Sequence, residues 1–97
     1  MKFEIAPKET EIKANWEEAI MYCFALNIDG KVGWRLPTIK ELNEIHESEN
    51  DFENRWYWSS SEINNYLAWS QNVSNGYQYN GGKNNGSNYV RAIKDLS

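Results

Sequence analysis

Residues 57–93 read YWSSSEINNYLAWSQNVSNGYQYNGGKNNGSNYVRAI, and the spacing of their aromatic and β-branched residues decides the class of fold. The period is two. Tyr57-Trp58-Ser59-Ser60, Ala68 to Val73, Tyr77-Gln78-Tyr79 and Tyr89 to Ile93 read as short strands, with Trp69, Val73, Tyr89, Val90 and Ile93 as anchors. Ser74-Asn75-Gly76 supplies a hairpin turn, and Gly81 to Ser87 a glycine and asparagine loop. The same stretch is poor in reactive groups. Between Ile63 and Asn88 stand eight asparagines and four glycines, no carboxylate, histidine or cysteine, and Lys83 as the only charge. General acid–base chemistry has little to use there. Neutral donors and acceptors beside rigid amphipathic rings are instead the composition of binding loops.

Upstream the period changes to that of a helix. Asn15 followed by Glu18 has capping-box spacing, and Trp16, Ala19, Ile20, Cys23 and Phe24 fall on one stripe, which predicts a helix over Trp16 to Leu26. Thr38 and Glu41 repeat the box, and Ile39, Leu42 and Ile45 give an apolar edge to a second helix over Ile39 to Ser48. Between them lie the Asp29-Gly30 turn and the connector Gly33-Trp34-Arg35-Leu36-Pro37. Lys2 to Ala6 alternates as a short strand stopped by Pro7, and the acidic run Glu47 to Asn54 reads as a solvated loop. One strand, two helices, then strands and loops is an α+β order. At 97 residues the chain, 1–97, is expected to be a single domain.

Composition narrows the function. The net charge is −4 with no basic stripe, so the electrostatic footprint of a nucleic-acid-binding protein is missing. Cys23 is the one cysteine and lies on the stripe of the first helix, which suits a small buried hydrophobe rather than a nucleophile, a disulfide or a metal ligand. His46 has no second histidine at ligand spacing. No run approaches a membrane span, and MKFEIAPKETEIKANW lacks the apolar core of a signal peptide, so the expectation is a cytoplasmic chain or one carried on a phage particle.

NWEEAIMYC, GWRLPTIKEL at Gly33 to Leu42, YWSSSE at Tyr57 to Glu62 and YVRAI at Tyr89 to Ile93, taken in order, resemble the Lcl C-terminal domain family. That family is a branch of the C-type-lectin-like fold, which also includes the formylglycine-generating enzymes. The resemblance covers about Asn15 to Lys94. It implies two helices packed on a small, mostly antiparallel sheet, paired N- and C-terminal strands, and long irregular binding loops. The paired reactive cysteines of the formylglycine-generating relatives are absent, and no enzymatic activity or cofactor is expected. Nor does an adjacent carboxylate and amide pair of the calcium-dependent lectins stand between Ile63 and Asn88. The last third also resembles the variable region of proteins diversified by retroelements, including phage receptor-binding proteins. There, asparagine codons altered at their adenines yield residues such as Ser, Gly, Tyr, Ile or Leu.

The candidate contact surface is Ile63, Asn64, Asn65, Tyr66, Leu67, Ser70, Asn72, Tyr77, Tyr79, Asn80, Gly81, Asn84, Asn85, Gly86 and Ser87. Its partner would be a protein or a glycan, bound by a display module. A calcium-independent carbohydrate or glycosaminoglycan adhesin and a virion decoration protein are the alternatives. Trp34, Arg35, Trp58, Trp69 and Arg91 are expected to be structural, the arginines by pinning irregular backbone or pairing with carboxylates.

Overall fold

The structure, a computed structural model, describes residues 1–96. Along the chain run β1 (Phe3–Ile5), a single 3-10 turn (Lys8–Thr10), β2 (Ile12–Lys13), α1 (Trp16–Ala25), β3 (Trp34–Arg35) and α2 (Ile39–His46). There follow β4 (Trp56–Glu62), β5 (Leu67–Asn72), β6 (Gln78–Gly82), β7 (Tyr89–Val90) and β8 (Ile93–Asp95). The order is α+β, as expected.

Both helices start at the capping boxes. Asn15 Oδ1 accepts the Glu18 N–H at 2.9 Å, and Glu18 Oε1 accepts the Asn15 N–H at 3.1 Å. Thr38 and Glu41 exchange the same two bonds, so each box satisfies two otherwise unpaired amides. The second helix ends at His46, earlier than its periodicity suggests, because side chains take the last carbonyls. Ser48 Oγ donates to Glu44 C=O and Asn50 Nδ2 to Ile45 C=O.

The strands form two sheets where one was expected. β1-β8-β3 is the smaller, and β2-β7-β4-β5-β6 the larger. All pairs are antiparallel except β4 with β7. The N- and C-terminal strands pair as the resemblance implied, Phe3 opposite Asp95 and Ile5 opposite Ile93. Tyr89 to Ile93, read as one strand, is two: the chain leaves the large sheet after Val90 and joins the small one at Ile93. Arg91 holds that crossing. Its buried Nε donates to Ala6 C=O at 2.8 Å, Nη1 lies 3.3 Å from Glu11 and Nη2 lies 2.7 Å from Asp51. β2 and β3 are too short to show a period in the sequence.

β4 is buried on both faces, so its successive residues belong to different cores. Trp58 lies with Trp34, Leu36, Ala19, Cys23 and Val90 beneath α1, and its Nε1 donates to Ala14 C=O at 2.8 Å. Tyr57 lies with Leu42, Ile45, Phe3, Val73 and Ile93 beneath α2. Two expectations about aromatic residues are corrected. Phe24 is 83% exposed, because it sits roughly 80° around the helix from Trp16 and beyond the face carrying Ala19 and Cys23. Trp69 is only half-buried and joins neither core, since it stands on β5 next to the sheet's edge.

Arg35 clamps the small sheet to the start of α2. Its guanidinium makes two 2.8 Å bonds to Glu41, bonds of 3.1 and 2.7 Å to Asp95, and one of 3.2 Å to Leu36 C=O. The Arg35 hydrogen bonds hold the Glu41 carboxyl below its ordinary value. A folded-state pKa below the unfolded one gives stability that is complete above the unfolded value and is lost as pH falls through the folded one.

Two outcomes are expected. In urea unfolding, Trp58→Ala costs about 3–5 kcal/mol and Trp69→Ala clearly less; equal losses would show that the outer half of β5 is core. The melting temperature falls as pH drops below the usual glutamate range, and Glu41→Gln flattens part of that decline; an unchanged profile would remove Glu41 from the acid response.

Candidate functional site

The antiparallel run β4-β5-β6 places its loops at two ends of the sheet. The β4–β5 turn, residues 63–66, and the β6–β7 loop, residues 83–88, share one end. The β5–β6 turn, residues 73–77, lies at the other. The candidate contact residues are therefore divided. Ile63 to Leu67 and Asn84 to Ser87 come together, Tyr79 and Asn80 stand along β6, and Tyr77 is at the far end. Ser70 is 1% exposed and Asn72 6% exposed, and Gly81 is also buried. These three are corrected from contact residues to packing ones. The Tyr79 ring lies so close over Gly81 that a Cβ there would sit 3.0 Å from it.

Several asparagines build the turns. Asn64 Oδ1 accepts the N–H groups of Tyr66 and Leu67 at 2.8 and 2.9 Å, and Asn85 Oδ1 that of Ser87 at 2.9 Å. Asn72 Oδ1 accepts from Ser74 and Asn75, and Asn75 Oδ1 from Tyr77. Such side chains mimic a backbone turn, which is why asparagine concentrates there. Among the candidate asparagines, Asn65, Asn80 and Asn84 are exposed and make no such bond.

At the shared end a cleft of about 400 Å³ opens between the two loops and the start of α1. Of the candidate contact residues, Asn65, Tyr66, Leu67 and Asn84 line it; Asn15, Glu17, Gly82 and Lys83, which also line it, were not among them. Lys83 is the post of this end. Its N–H donates to Tyr66 C=O at 2.8 Å and its C=O accepts the Trp16 N–H at 2.9 Å. Its Nζ lies 2.6 Å from Glu62 and 4.3 Å from the centroid of the Trp16 ring. Trp16 is fixed in turn by Nε1 donating to Ser59 C=O at 2.9 Å. An ion pair and a cation–π contact thus neutralise the one cation of the loops and tie both loops to the helix. The sign in the sequence was a single lysine in a long uncharged stretch.

The reactive residues are held elsewhere. Burial pushes the Cys23 thiol up to about 12, so it stays protonated. His46 points Nδ1 at Val73 C=O, 2.5 Å away, and because a carbonyl can only accept, Nδ1 carries the proton. The His46 ring also fills the space beside Gly76, whose φ is +83°. Of the acidic loop, Asp51 pairs with Arg91 and Glu53 with Lys8.

The fold is thus a two-sheet α+β domain that presents an uncharged loop rim above a double core. The chain belongs to the Lcl C-terminal domain family, which matches residues 4–94. No curated protein matches it.

Proposed function

We propose that the chain is a non-catalytic binding module that receives a protein or glycan ligand at the shared loop end of the large sheet. The observation that carries this reading is the convergence of two loops singled out by composition on one cleft, with the exposed Tyr66 ring and the amides of Asn65 and Asn84 at its rim. Its volume falls in the range of ligand sites. The ring offers rigid contact area and the amides offer paired donors and acceptors. Lys83 is consumed by Glu62 and Trp16, and Glu17 leaves a carboxylate at the margin. That balance favours a neutral, hydroxyl-rich sugar or a polar protein loop over a sulfated polyanion.

Diversification for receptor binding, as in retroelement-varied phage proteins, is the finer form of this reading. Of the fifteen candidate contact residues, eleven are exposed, which is where variation is tolerated. Its genetic sign would be a second copy of the segment encoding residues 63–88, differing only at adenines, beside a reverse transcriptase gene.

The test is to apply labelled protein to arrays of neutral and sulfated glycans and to a panel of cell-surface proteins. Tyr66→Ala and Asn84→Ala are expected to keep the wild-type melting temperature and together to weaken any captured ligand about tenfold or more. A ligand held equally by both variants, or no ligand on either panel, would sink the assignment of this cleft.

A further inference from the structure

β6 is an edge strand of the large sheet, and its outward main-chain groups are open. Asn72 donates its N–H to Tyr77 C=O at 2.9 Å, and Ser70 Oγ donates to Tyr79 C=O at 3.2 Å, so Tyr77 and Tyr79 turn their carbonyls toward β5. Antiparallel alternation then directs the N–H and C=O of Gln78 and Asn80 outward. Both residues are exposed. The Gln78 side chain is drawn inward, where its Nε2 donates to Gln71 Oε1 at 3.1 Å and Gln71 donates to Asn43 on α2 at 3.1 Å. It does not shield its own backbone. Folded proteins guard such edges with lysine, proline or inward charge; from Ile63 to Gly82 the chain has no ionised side chain and no proline.

We propose that β6 pairs with β6 of a second copy of the chain, antiparallel about a two-fold axis at Tyr79, to make one sheet continuous across a homodimer. In that register Gln78 of each protomer lies opposite Asn80 of the other, and the open N–H and C=O of both residues are satisfied. Tyr79 meets its own copy in the close, non-hydrogen-bonded type of pair, the arrangement in which aromatic side chains gain most. Trp56, edge-to-face with Tyr79 at 6.2 Å, extends this row of rings on each side. Tyr77 falls opposite Gly81 of the second copy, where it meets the Tyr79 ring that lies over that glycine. Charge selects the same surface. Two chains of net charge −4 repel one another over most orientations, and the uncharged β5–β6 hairpin is where that repulsion is weakest. A two-fold pair is also closed, since it covers both β6 edges at once. The proposal stands apart from the cleft, which lies at the loop end.

Sedimentation equilibrium from micromolar to millimolar chain, with amide hydrogen exchange at both extremes, tests it. The mass is expected to rise from 11.4 kDa toward twice that value. The Gln78 and Asn80 amides should become protected only in the associated state, whereas Tyr79 and Gly81, already turned toward β5, exchange slowly throughout. Asn80→Pro removes an outward donor and no internal bond, so it should keep the wild-type fold and weaken association about tenfold or more. Tyr79→Lys sets like charges together at the axis and should do the same if the proline variant fails to fold. A chain that stays monomeric at millimolar concentration overturns the proposal and leaves the edge to an extended segment of another protein. Association with fast-exchanging Gln78 and Asn80 overturns it too, because a different face would then be in contact.

Discussion

A guanidinium with 4% of its side chain exposed must be paired and hydrogen-bonded to remain in the interior, and Arg91 meets that demand from four directions. Ala6 C=O, Glu11 and Asp51 take its donors, while Phe52 lies under its plane, 4.6 Å from Cζ to ring centroid. These partners come from the segment after β1, the segment before β2 and the acidic loop between α2 and β4. The same Glu11 accepts the Tyr57 hydroxyl at 2.9 and 3.0 Å, and burial pushes that hydroxyl well above its usual range. One charge network therefore fixes the point where the chain passes from the large sheet to the small one. Arg91 and Glu11 are both buried, so removing either one leaves the other short of a partner and away from water, which is strongly destabilising.

With that crossing fixed, β4 becomes the hinge between two cores. Tyr57 is held from one side by Glu11 and the α2 residues, and Trp58 from the other by Ala14 and α1. The loop ends of β4, β5 and β6 then have little freedom left. Lys83 completes their attachment, because its backbone bridges Tyr66 and the first residue of α1 while its ammonium spans Glu62 and Trp16. The cleft is a consequence of how the helix and the two loops are tied, so its shape is set by the fold itself.

How much of this was legible in the sequence depended on whether the signal was local. Capping boxes and the period-two strands are local, and both helix starts and the β4–β5–β6 meander follow from them. The Gly33 to Thr38 connector and the Val90 to Ala92 segment carried the family resemblance without revealing why. Arg35 and Arg91 act across 60 and 80 residues, on Asp95 and Glu11 respectively, and no window contains both partners. Two-residue strands such as β2 and β3 have no period to detect. The candidate contact residues were chosen by composition, which carries no geometry. An asparagine that folds its own turn and one that faces a ligand are the same letter, so Asn64 and Asn85 were grouped with Asn65 and Asn84. Ser70 and Gly81 were grouped with exposed positions because strand register decides their burial, and register here is set by pairing rather than by hydrophobic alternation.

That double use of asparagine bears on what the surface can do. A loop whose shape is held by side chains bonding to their own backbone tolerates new residues only at positions outside those bonds. The side chains of Asn65, Tyr66 and Asn84 take no part in those bonds and lie above a core to which they contribute little. The charged groups lie mainly elsewhere: Arg35, Arg55 and Arg91 and their carboxylates sit around the small sheet and the acidic loop. The 20 residues from Ile63 to Gly82 carry no charge. Contacts made there gain little from long-range steering and lose little to salt. The recognition proposed for this end must rest on shape, aromatic area and well-aimed hydrogen bonds, all of which require a rigid platform. The buried arginine network and the two-sided β4 supply that rigidity at a distance, leaving the rim free of any structural charge except the one that Lys83 and Glu62 cancel between them.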